Sequence, residues 1–131
     1  MRLTPISSQA GTDFRRRYLE LAEDPSWRQR GTMMAKIVEH LEANVASPDC
    51  WAYTSHEELV LNDRDTYDNH NALVTVNVDV PDYVPRGYEI TYRVQAPWFR
   101  VTGYTEDVEV AGAMIVEALE RAAKDGAEAT G

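Results

Sequence analysis

The sequence predicts an α+β fold in which a mostly antiparallel sheet of three to four strands packs against helices. Two observations favour this fold. Two segments alternate between apolar and polar residues, as strands with one solvated face do, and three others carry apolar residues at helical spacing. A length of 131 residues suits one domain with one core. We therefore expect a single acidic domain over residues 1–131, in the order α-α-β-β-β-β-α, with flexible ends at 1–10 and 125–131.

Two helices are predicted in the first third of the chain. The first is capped by Thr12 and continues with apolar residues at helical spacing until Pro25. The second opens at Thr32 and ends before Ser47 and Pro48. Its apolar stripe should belong to the core and comprises Met34, Ile37, Val38, Leu41 and Val45.

The strands are predicted between residues 50 and 104. Residues 74–80 and 88–96 alternate strictly between apolar and polar side chains. A further strand at 98–104 follows Pro97 and should pair with 88–96. Residues 51–54 are typical of a strand, whereas Ser55 to Glu58 match a helix capping box, which leaves residues 55–61 open between strand and short helix.

The last helix is predicted to begin at a Thr105 cap and to end at Gly126. Glu106 and Asp107 suit the positive end of its dipole. Gly112 in its middle costs about 1 kcal/mol relative to alanine. We expect this glycine to allow close approach of the helix to the sheet or to another subunit.

Charge narrows the choice of partners. The net charge of −9 disfavours general nucleic-acid binding, because a polyphosphate backbone is repelled. The distribution is uneven, since residues 1–36 carry about +3 and the rest therefore about −12. Arg15 and Arg16 in the first helix are candidate interaction residues for an acidic surface, on this chain, a second copy or a partner. An ordinary solvated helix is the alternative interpretation.

The chain contains one cysteine and no long apolar run. Cys50 cannot form an internal disulfide, and no stretch reaches the roughly 20 apolar residues that span a bilayer. A cytoplasmic protein without membrane contact is the resulting expectation. Cys50 would be a nucleophile only beside a histidine. The sequence contains no glycine-rich phosphate loop, and no cofactor is predicted.

An acidic segment at residues 62–69 is the candidate metal site. Asp63, Asp65 and Asp68 could offer oxygen ligands to Ca²⁺ or Mg²⁺. The segment lacks the glycine and the final glutamate of an EF-hand loop. A polar connection between strands is the alternative.

The predicted last strand carries the candidate interaction residues Trp98, Arg100 and Tyr104, which share one face of a regular strand. Phe99 and Val101 occupy the other face. Tryptophan, tyrosine and arginine are the residue types richest in interface hot spots. Whether the Trp98 face or the Phe99 face is buried stays open at this level.

These observations favour a non-enzymatic protein-interaction or assembly module, such as a phage or mobile-element accessory protein, an inhibitor or an immunity-like protein. Its partner would be a basic protein or a second copy of the chain. One alternative is a ligand-binding or enzymatic domain with a pocket between sheet and helices, lined by Tyr53, Tyr88 and Tyr92. The other is nucleic-acid binding through the arginine-rich first helix, which the net charge makes the weaker hypothesis.

Overall fold

The computed structural model describes residues 1–69, 72–79, 87–94 and 99–130, and it shows an α+β fold with a six-stranded mixed sheet and three α-helices. The strands follow one another across the sheet in chain order. Strands β2 to β6 pair antiparallel, whereas β1 pairs parallel to β2. The elements are β1 Leu3–Pro5, α1 Phe14–Leu21, α2 Arg28–Asn44, β2 Cys50–Ser55, β3 Glu58–Asn62, β4 Val74–Asp79, β5 Gly87–Val94, β6 Phe99–Thr105 and α3 Val108–Thr130.

The α+β class predicted from the sequence is confirmed, but the expected three to four strands are too few. One extra strand is β1, whose three residues are too short to show any alternation. Leu3 and Ile6, both near the start of the chain, are buried. The beginning of the chain joins the sheet, since Leu3 pairs with Cys50. This pairing joins two distant segments, so no local sequence pattern predicts it.

The ambiguous segment 55–61 is a tight hairpin that joins β2 to β3. Ser55 pairs with Glu58, and the two residues between them, His56 and Glu57, have φ angles of 52° and 67°. Positive φ at both central residues is what a type I′ turn requires, and this turn matches the twist of the flanking strands. Asn-Gly is the usual sequence of a type I′ turn, so the His-Glu pair gave no turn signal. The interpretation of Ser55 to Glu58 as a helix capping box was wrong.

The caps and boundaries of the helices differ from those predicted. Asp13, not Thr12, caps α1 by accepting a hydrogen bond of 3.1 Å from the Arg16 amide. Asp107 caps α3 by accepting from the amides of Glu109 and Val110 at 2.8 and 3.1 Å. Helix α3 continues past Gly126 to Thr130, and α2 begins four residues before Thr32.

The main core lies between one face of the sheet and helices α1, α2 and α3. The predicted stripe of α2 is confirmed as core from Met34 to Leu41, and Val45 packs against it at its margin. The strand residues of this core are Leu3, Ala52, Leu59, Leu61, Val74, Val76, Val78, Tyr88 and Ile90.

Two helix crossings depend on glycine. A Cβ atom at Gly31 would lie 2.6 Å from the carbonyl oxygen of Tyr18, where α1 crosses α2. A Cβ atom at Gly112 would lie 2.6 Å from the imidazole ring of His40. Gly112 therefore permits close approach of α3 to α2, whereas the sequence analysis expected approach to the sheet or to another subunit. Within the described ranges, no helix combines the length and apolarity needed to cross a membrane.

Candidate functional site

The sheet has one face under the helices and one helix-free face. Because side chains alternate along a strand, Val76 and Ile90 point into the helix-covered core, whereas Thr75 and Thr91 point to the other side. The strand register places Thr75, Thr91 and Thr102 side by side across β4, β5 and β6. The helix-free face is therefore polar on this half of the sheet.

The β2–β3 half of the helix-free face is covered by the chain itself. Ile6, Tyr53 and Val60 form a small second core there. The ring of Tyr67 lies 4.7 Å from that of Tyr53, and the Tyr53 hydroxyl donates a hydrogen bond of 2.8 Å to Asn69 Oδ1. Residues 63–69, the described part that follows β3, thus fold back over β2.

The acidic segment belongs to this cover. Asp65 accepts hydrogen bonds from the hydroxyl and the amide of Ser7, and these bonds lower the pKa of its carboxyl group. Asp63 pairs with Arg64 at 3.2 Å. Burial raises the pKa of Tyr53, and a hydrogen bond with the Asp68 backbone partly offsets that rise. The described contacts of Asp65 with Ser7, of Asp63 with Arg64 and of the Asp68 main chain with Tyr53 are therefore separate from one another.

No metal cluster is found in the described part of the chain, where no three His, Cys, Asp or Glu side chains converge. Cys50 lies on the helix side of the sheet, and burial raises the pKa of its thiol to about 12. A thiol that stays protonated at neutral pH is a poor nucleophile. His70, one of the histidines that could have activated it, lies outside the described residues.

The predicted pocket lined by Tyr53, Tyr88 and Tyr92 does not form. Tyr53 lies on the helix-free face, whereas Tyr88 lies on the helix side with its hydroxyl bonded to the Met33 carbonyl at 2.9 Å. The helix-free face does contain a groove of about 210 Å³, whose lining includes Glu58 and Arg100. This volume is below the roughly 300–1,000 Å³ of typical ligand pockets.

The register of β6 settles which face its aromatic and arginine residues occupy. Tyr104 pairs with Glu89, and Arg100 with Arg93, so both stand on the helix-free face. Tyr104 is 62% exposed. Val101 is on the opposite face, toward α3, and is still 41% exposed because β6 is the last strand of the sheet. Trp98, the third predicted residue, lies outside the described residues.

The two edges of the sheet differ in the length of their outer strands, three residues in β1 and seven in β6. Beyond the end of β1, the Gln9 side-chain amide bonds both the amide and the carbonyl of Thr54, at 2.9 Å each. At the other edge, no strand of residues 1–69, 72–79, 87–94 or 99–130 pairs with the outer side of β6. An edge strand of this kind presents backbone donors and acceptors to another chain.

A second groove, of about 230 Å³, lies beside β6 on the helix side. Val101 and Gly103 of β6 and Met114 of α3 contribute to its lining. Val110, one helical turn before Met114, is 47% exposed. We define the β6 edge as the outer backbone of β6 with Arg100, Val101, Tyr104, Val110 and Met114. The sequence analysis missed Val110, which is apolar but lies outside the stripe that helical spacing predicts as buried in α3, namely Val108, Ala111, Ile115, Leu119 and Ala122.

The predicted arginines of α1 belong to another part of the molecule. Arg15 pairs with Glu39 of α2 at 3.5 Å, and its neighbour Arg17 pairs with Glu57 at 3.3 Å. Glu57 lies in the β2–β3 turn, and β3 is three strands away from β6. Arg16 is exposed beside them on α1. The structure therefore does not unite the two predicted groups of interaction residues.

Comparison of the chain with protein-family profiles, with curated proteins and with solved structures finds no match. The fold and the β6 edge are consequently the observations that bear on function.

Proposed function

We propose that this protein is a non-enzymatic protein-interaction module that binds its partner through the β6 edge. The observation that carries the proposal is the seven-residue edge strand β6, with Tyr104 exposed on one face and Val101 on the other. Addition of a partner strand to such an edge supplies main-chain hydrogen bonds, and the alternating side chains supply specificity.

The side chains of the β6 edge suit this role. Monomeric proteins commonly blunt an exposed edge with lysine, proline or a bulge. The described strand carries neither lysine nor proline, and Arg100 is its charged residue. Arginine, tyrosine and methionine are enriched where proteins meet. Of the five large hydrophobic residues exposed among the described residues, Val101, Tyr104 and Val110 belong to this edge.

Other classes of function have weaker support. The thiol of Cys50 is held protonated, which argues against thiol chemistry. Nucleic-acid binding through α1 would have to compete with the ion pairs that Arg15 and Arg17 already make on the protein's own surface.

The test compares two lysine substitutions at side chains of equal exposure. Val101 on β6 is 41% exposed and Leu19 on α1 is 40% exposed. The tagged protein is mixed with a lysate of the organism that encodes it and with untagged copies of itself. The proteins that it retains are then quantified. Val101→Lys should abolish retention of the partner and Leu19→Lys should leave it intact, while both melt near the wild-type temperature. Retention that survives Val101→Lys, or that both variants lose equally, would reject the β6 edge as the binding surface.

A further inference from the structure

We infer that the occupant of the β6 edge is a second copy of this chain, paired antiparallel through β6 about a twofold axis at Thr102. This inference rests on the proposed function and names its partner. A twofold interface uses the same patch on both subunits, so the patch must be complementary to itself. Thr102 is the middle residue of β6, and pairing centred there aligns all seven residues from Phe99 to Thr105.

The helix-free face of β6 is self-complementary in this register. Arg100 stands opposite Tyr104 of the second copy, and the same pair recurs on the other side of the axis. Guanidinium groups are attracted to the face of a tyrosine ring, by about 0.5–1 kcal/mol at exposed sites. Directly opposed side chains on neighbouring antiparallel strands are close enough for this contact.

The helix side of β6 is also self-complementary. Val101 stands opposite Gly103 of the second copy. Gly103 carries no side chain, and one there would collide with the methyl group of Met114. The exposed Val101 therefore faces the methyl group of Met114 of the second copy, which occupies the space over Gly103. A twofold axis perpendicular to the sheet keeps the α3 helices of both copies on one face of the combined sheet. The two Val110 side chains therefore lie on the same side of the dimer interface.

Charge distinguishes a second copy from a basic partner. Each copy carries −9, so two copies repel at long range. Salt screens that repulsion, and the dimer should therefore become tighter as ionic strength rises. A complex with a basic protein would respond in the opposite direction, since salt weakens attraction between opposite charges.

Disulfide trapping tests the pairing directly. Opposed Cα atoms of an antiparallel pair lie about 4.5–5.5 Å apart, within the roughly 4.4–6.8 Å that a disulfide spans. Thr102→Cys in a Cys50→Ser background should form a covalent dimer under mild oxidation. Thr91→Cys is the matched control, because Thr91 is the neighbour of Thr102 on the same face but lies one strand inside the sheet. It should remain monomeric.

Two further variants test the register. Arg100→Cys should not cross-link to itself, whereas a mixture of Arg100→Cys and Tyr104→Cys should yield the mixed dimer. Removal of the two cation–π pairs by Tyr104→Ala should raise the dissociation constant of the dimer by roughly five- to thirtyfold. Tyr104→Phe, which keeps the ring, should change that constant little.

A native mass spectrum of the untagged protein completes the test. A dimer together with the Thr102→Cys cross-link supports the inference, and a dimer in which Thr102→Cys fails to cross-link overturns this pairing. A monomer at high salt and high concentration also overturns it. If Val101→Lys nevertheless abolishes retention of another protein, the proposed function stands without the second copy. If Val101→Lys changes nothing either, both proposals fall.

Discussion

The hydroxyl group of Tyr18 in α1 donates a hydrogen bond of 3.1 Å to the main-chain carbonyl of Glu57 in the β2–β3 turn. Arg17, the residue before Tyr18, pairs with the carboxylate of the same Glu57 at 3.3 Å. Tyr18 is fully buried, and burial raises the pKa of its hydroxyl. Helix α1 thus contacts the left-handed turn through both the carboxylate and the main-chain carbonyl of Glu57.

The two contacts to Glu57 should contribute unequally to stability. Tyr18→Phe leaves the carbonyl of Glu57 without its partner in a partly buried place, and we expect a loss of about 1–2 kcal/mol in the free energy of unfolding. Arg17→Gln removes an exposed ion pair and should cost less than about 0.5 kcal/mol. Urea denaturation of both variants measures the difference. Equal losses would mean that the hydroxyl does not hold the turn.

The positive φ of His56 makes a second prediction. Asparagine adopts this conformation readily, whereas a β-branched residue is strained in it. His56→Asn should keep wild-type stability or gain slightly, and His56→Val should lose about 1–2 kcal/mol. Both are measured by thermal and urea unfolding, and similar stability of the two variants would contradict the type I′ turn.

The two glycine crossings should respond differently to alanine. Gly31→Ala directs a methyl group at the backbone of α1, and we expect a loss of about 1–3 kcal/mol, as in an overpacked core. Gly112→Ala meets the side chain of His40, which can rotate, and it also gains about 1 kcal/mol of helix propensity. Its net effect should be small. Gly112→Ala combined with His40→Ala should expose the gain, and a loss as large as that of Gly31→Ala would refute this account.

Stability should depend on pH through Asp65. Hydrogen bonds from Ser7 hold the pKa of Asp65 below its ordinary value of 3.8. A lowered pKa in the folded state means that the contribution is present above about pH 3.8 and is lost as pH falls through the lower folded value. Ser7→Ala should therefore be less stable than wild type at neutral pH, and the gap should close below pH 3.8. Ser8→Ala, at the exposed neighbour, is the control and should show no such closing gap.

The thiol of Cys50 should react slowly in the folded protein. Burial raises its pKa from the ordinary value of 9.0 to about 12. At pH 8 the thiolate fraction is then about a thousandfold lower than in the unfolded chain. Alkylation by iodoacetamide, followed by mass spectrometry with and without denaturant, measures this ratio. Comparable rates in the two states would indicate that Cys50 is accessible and ionised.

Some elements follow from local patterns in the chain. The alternation in β4 and β5 and the apolar stripe of α2 were predicted at nearly their observed places. The caps were less predictable, because Thr12 and Asp13 are both good capping residues and only the backbone geometry selects Asp13. The His56-Glu57 turn was missed because His-Glu is not a usual sequence for a left-handed turn, and because the contacts of Glu57 with α1 come from a segment distant in the chain.

The sequence by itself determined the α+β class, the buried stripe of α2 and the two-faced character of the central strands, since these depend on the spacing of apolar residues along one element. Only the tertiary structure decided that Leu3 pairs with Cys50, that Asp65 binds Ser7 and that Tyr104 stands on the helix-free face. Each of these depends on which distant segment lies alongside. The spacing within one strand makes its two faces distinct, but the packing of the helices determines which face becomes the core.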